Sequence, residues 1–155
     1  RQCEPACLEL RLWMESNGGA STIDQFLGLS NPECYDIKTY LESLLPYHTL
    51  TVRNHHYSIV HAGLGSDIRD YHLIPAISEN DLIWGDGGLA SNSLRNSTLI
   101  VGHVPTFIYG KQYENHIIHE TTSDTFHIDG GCVFGKSLLC LRLEDQKEFV
   151  IPSNS

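Results

Sequence analysis

Two stretches of the chain run from an apolar segment straight onto an imidazole. In LIVGHVPT, at 99–106, the β-favouring Leu99, Ile100 and Val101 lead into Gly102, His103 and a Pro-led turn. In YSIVHAGL, at 57–64, Ser58, Ile59 and Val60 lead into His61, Ala62 and Gly63. Each histidine sits by a glycine, which lets the backbone turn sharply or approach a ligand closely. Polar groups carried just past strand ends are where sites of layered α/β proteins form. A neutral imidazole is a good ligand for zinc, iron or manganese. Two imidazoles do not complete a catalytic metal centre, which needs carboxylates as well. His61 and His103 are therefore site candidates, set against the ordinary reading of a strand-end histidine as a rim residue bonded to a carbonyl or water.

The remaining histidines read as structural. His48, His55, His56 and His72 are expected at rims, bonded to carbonyls or water. His116 and His119 would clamp a metal from one helix face, but on a strand, positions three apart point to opposite faces and cannot converge. His127 lies two residues before Asp129, on the same strand face, and is a further site candidate. Asp129-Gly130-Gly131 is explained by turn chemistry alone.

The elements that must hold the two rings follow from patterning. The first third reads as three helices. Leu8, Leu10, Leu12, Trp13 and Met14 form the first, which Gly18-Gly19 breaks before Ser21 or Thr22 caps a second. In the third, Asn31 is the expected cap with Pro32 at the first helical position, followed by Ile37, Tyr40, Leu41, Leu44 and Leu45 at helical spacing. After Pro46 the pattern turns to short strands: a hairpin split by Arg53-Asn54-His55, then TLIV, then several runs joined by turns. The fold class is α/β, helices followed by a mostly antiparallel sheet, over a single domain spanning 1–155.

Charge and composition exclude some partners. A net charge of −9 and a pI near 5.3 disfavour nucleic acid and anionic membrane surfaces. No apolar run approaches a membrane span. Five cysteines without a CxxC pair favour a reduced, cytoplasmic setting, with Cys132 and Cys140 as small core residues. The Asn96-Ser97-Thr98 sequon carries little weight. The chain opens at Arg1 without an initiator Met, as a piece of a longer protein would.

Five stretches occur in a telling order: W-x-x-x-N-G-G-x-x-T (Trp13, Asn17, Gly18, Gly19, Thr22), HAGL from His61, DLIWGD from Asp81 to Asp86, GHVPT from Gly102, and IDGGCVFGKSLLCLRL from Ile128. Together, over about residues 13 to 143, they resemble the calcineurin-like metallophosphoesterases. The likeness is to the bacterial serine/threonine phosphoprotein phosphatase branch, which includes the diadenosine tetraphosphate hydrolases. The resemblance implies half of a four-layer β-sandwich and metal-dependent hydrolysis of phosphate monoesters. It implies two divalent ions (Mn, Fe or Zn), His61 and His103 binding the second, and a phosphorylated protein or a dinucleoside polyphosphate as substrate.

The family's GDxHG, GDxxDRG and GNHE motifs, which supply the other ligands and the catalytic acid, do not occur in this chain. The resemblance thus implies the C-terminal part of a phosphatase, partnered by the N-terminal half of the same domain and inactive alone. Relatives place an Arg soon after the Trp of the DLIW-like motif; here the nearest is Arg95, which reads either as a phosphate grip or as a solvated surface residue. Trp84 reads as a core aromatic or as a wall of the cleft, the core reading being preferred. A non-catalytic, partner-binding module is the competing reading.

Overall fold

The computed structural model describes residues 5–16, 19–65, 68–85, 88–89 and 94–154. Arg1, Asn17, Gly18 and Asp86, all named above, lie outside the described residues. The chain divides into two compact units, 1–44 and 45–155.

The first unit is helical: α1 (Pro5–Ser16), α2 (Gly19–Leu27) and α3 (Asn31–Ser43). Helix α2 starts at Gly19, ahead of the expected Ser21 or Thr22 cap. Gly19 is buried, and a Cβ there would collide with the Trp13 ring, so the glycine lets α1 and α2 close on each other. The cap of α3 is Ser30, one residue before the expected Asn31. Its backbone N–H and hydroxyl both donate to the Glu33 carboxylate, at 2.8 and 2.7 Å. Ser30-x-x-Glu33 is the signal that marks this start.

The second unit holds the sheet. Strands β1 (Tyr47–Val52) and β2 (His55–Val60) form an antiparallel hairpin whose two-residue turn, Arg53-Asn54, has φ of 49° and 63°. Two left-handed residues give the twist a tight hairpin needs. A 3₁₀ turn (Tyr71–Ala76) and α4 (Glu79–Trp84) follow, then β3 (Thr98–Val101), β4 (Ile118–Glu120) and β5 (Thr125–His127). The sheet order is β1-β2-β3-β5-β4. The fold is α/β, helices first and a mixed five-stranded sheet after. β1–β2 and β4–β5 are antiparallel, whereas β2–β3 and β3–β5 are parallel. A separate antiparallel hairpin, β6 (Ser137–Arg142) and β7 (Lys147–Pro152), completes the unit.

Every residue of β3 is buried, as suits a central strand covered on both faces. On one face Val60, Leu99 and Val101 pack with Leu64, Ile74, Leu82 and Leu94, so α4 and the 3₁₀ turn form the cover. On the other, Tyr57, Ile100 and Phe126 pack with Leu141 and Leu143 from the β6–β7 hairpin. Buried hydroxyls are paired: Ser58 with Ser97 at 2.8 Å, and Thr98 with both Asp124 and His55 at 2.6 Å. No helix among the described residues is long and apolar enough to cross a membrane.

Candidate functional site

The three parallel strands β2, β3 and β5 end side by side, and their carboxyl ends carry His61, His103 and Asp129. Main-chain bonds fix this alignment: Gly102 N–H donates to the His61 carbonyl at 2.9 Å, and Ile128 N–H to the Val101 carbonyl at 2.9 Å. The carboxyl edge of a parallel sheet is the usual place for a ligand site in α/β folds.

His103 itself makes the sharp turn that the sequence assigned to its glycine. Its φ is 66°, and Val104 N–H donates to the Gly102 carbonyl at 2.8 Å, closing a three-residue turn around the histidine. At Gly102 a Cβ would meet only ordinary contacts. A left-handed non-glycine residue costs about 1–2 kcal/mol, a strain typical of functional positions. The turn brings His103 Nδ1 to 3.1 Å from His61 Nε2, with ring centroids 5.0 Å apart. The Trp84 ring stands edge-on to His103 at 5.4 Å and is 63% exposed, so Trp84 walls the site and is not a core residue.

The spacing of the two nitrogens tests whether they fit a shared cation. Two nitrogens on one ion at about 2.05 Å, subtending roughly 90–110°, lie about 2.9–3.4 Å apart. The observed 3.1 Å falls inside that range, and equally suits the N–H···N hydrogen bond the rings make. Burial, then the neighbouring His103 ring, pushes His61 below the ordinary imidazole value against the pull of Asp129. That favours the neutral form, the one that ligates. Among the described residues no group of three His, Cys, Asp or Glu side chains is placed to hold a metal.

A recess of about 300 Å³ opens beside the pair, lined by His61, His103, Asp129, Ile128, Leu138 and Leu139 among others. Asp129 makes the expected turn, its Oδ1 accepting Gly131 N–H at 2.8 Å, yet its carboxylate also acts on His61. A Cβ at Gly130 would collide with the Ser137 carbonyl, so this glycine lets β6 close against the strand ends and form the wall of the recess.

Other expectations resolve differently. His127 is 1% exposed, faces the Tyr109 ring at 5.6 Å and does not line the recess. Cys132 and Cys140 are exposed, not core; Cys132 lines the recess. Arg95 precedes β3, its N–H bonded to the Arg69 carbonyl, and is parted from His103 by the length of β3, about 13 Å of strand. The structure brings His61 and His103 together and does not bring Arg95 to them. His116 and His119 diverge, to Glu148 at 3.7 Å and Asp124 at 3.1 Å. His55 and His56 bond Thr98 and Thr51.

No protein-family model matches the chain, and no curated protein matches it. The class defined so far is an α/β protein with two imidazoles paired at the carboxyl edge of parallel strands.

Proposed function

We propose that this chain is the C-terminal part of a metal-dependent phosphomonoesterase of the calcineurin-like kind, acting on phosphorylated protein in a cytoplasmic setting. The observation that carries the reading is the 3.1 Å approach of His61 Nε2 to His103 Nδ1 at adjacent parallel strand ends. Those two rings would hold one divalent cation, together with ligands from outside this chain. The cation supplies Lewis acidity toward a phosphoryl oxygen when bound. His61 and His103 would orient it, the strained turn at His103 fixes the second ring, and the Trp84 ring stands beside that ring at 5.4 Å. The other ligands, the second ion and the acid that protonates the leaving oxygen come from the N-terminal half of the domain. In isolation the chain binds metal weakly and turns over no substrate. Exposed apolar side chains on β7, Val150 and Ile151 among them, are consistent with a covering partner.

Mn²⁺ binding, followed by loss of the free-ion paramagnetic resonance signal, tests the metal role. His61→Ala and His103→Ala should each weaken binding about tenfold or more, which is 1.4 kcal/mol. In the complete enzyme both should abolish Mn²⁺-dependent cleavage of p-nitrophenyl phosphate. Binding and activity indifferent to both substitutions would remove the proposal.

A further inference from the structure

We infer that the recess beside the imidazole pair receives the organic side of a phosphate monoester whose leaving group is aromatic or similarly apolar, in preference to a polyphosphate chain. This rests on the metal-site reading of His61 and His103. One wall of the recess is Ile128, Leu138 and Leu139. Leu138 is 56% exposed on β6, and Trp84, on a different element, presents its exposed ring beside His103. Two large apolar side chains held open to water around one polar pair make a surface suited to a mixed ligand, polar at the histidines and apolar beyond.

Charge points the same way. A monoester brings one phosphoryl group, which a cation on the two rings neutralises. Each further phosphate would extend negative charge toward the Asp129 carboxylate, in a chain of net charge −9. The cation next to the lining residue Ser137, Lys136, is committed to Glu114 at 2.9 Å. An aryl group would replace water along the leucine wall and meet the tryptophan edge, the geometry aromatic pairs favour.

The test compares two non-hydrolysable dianions of like headgroup, phenylphosphonate and methylphosphonate, titrated calorimetrically into the full chain loaded with Co²⁺. Phenylphosphonate should bind at least tenfold more tightly. Leu138→Ser should erase most of that ratio while leaving Co²⁺ binding, read from its visible bands, unchanged. Trp84→Ala should lower the same ratio from the other side of the site. Equal affinity for the two phosphonates, with Co²⁺ binding intact and dependent on His61 and His103, overturns this inference and leaves the metal reading standing. Co²⁺ binding that is absent, or indifferent to His61→Ala, overturns both.

Discussion

Replacing His127 with phenylalanine removes a buried base that the described structure leaves unsatisfied. The ring is 1% exposed, and neither Nδ1 nor Nε2 has a hydrogen-bond partner. A neutral imidazole carries one donor and one acceptor, and stranding such a group costs about 1–3 kcal/mol. Phenylalanine keeps an aromatic ring against Tyr109 and drops both polar atoms, although its larger ring risks an overpacking cost of similar size, about 1–3 kcal/mol. We expect His127→Phe to be no less stable than the parent near neutral pH, and up to about 2 kcal/mol more stable. The acid response should change too. Burial holds His127 below its ordinary value, partly offset by Glu120. The unfolded chain therefore binds the proton first as pH falls below about 6.5. Stability contributed by the neutral ring is intact above that value. It is lost going down, at up to about 1.4 kcal/mol per pH unit, until the folded-state pKa is passed. His61 is shifted in the same direction, so the variant should retain a shallower slope. Urea unfolding between about pH 7.5 and pH 5 reads both effects. A variant destabilised by more than about 2 kcal/mol near neutral pH, with the acid slope of the parent, would refute the reasoning: the imidazole would then have a partner, such as an internal water.

Two further substitutions test the framework around the site. His103→Gly removes a ligand but relieves left-handed strain, so unfolding stability should stay within about 1 kcal/mol of the parent while metal binding is lost; a large loss of stability would mean the ring is a packing element. Thr98→Val keeps shape but breaks the relay in which His55 Nε2–H donates to Thr98 and Thr98 donates to Asp124. It should cost about 1–3 kcal/mol, and a change below about 0.5 kcal/mol would show the relay is not coupled to folding.

The strand-end histidines were legible because β-branched runs ending in His-Gly contexts are local signals, and β2 and β3 lie where those runs do. The parallel pairing was not, since it depends on contacts between Ser58, Leu99 and Thr125, far apart in sequence. That pairing is what places Asp129 near His61, and turn chemistry alone hides it. Hydrophobicity misplaced Trp84, Cys132 and Cys140 in the core because composition does not say which face of a short element is covered. The turn at His103 was attributed to Gly102 since glycine is the default for positive φ, whereas here histidine takes that conformation. Arg95 was chosen by distance along the chain from Trp84; the direction of β3 carries it to the opposite end of the strand.

The β6–β7 hairpin is a two-stranded sheet, an arrangement that seldom persists in water by its own pairing. It is moored through Leu141 and Leu143 to the core face of Tyr57, and by the Tyr57 hydroxyl donating to the Leu143 carbonyl at 3.3 Å. Its other end, which edges the recess, is held as well: Ser137 bridges to Gly131, its hydroxyl donates to Asn115 Oδ1 at 2.8 Å, and Leu139 is buried. The hairpin is thus pinned at both ends, so the wall of the recess keeps a set distance from the strands that carry the histidines, and a ligand must fit the opening as it stands.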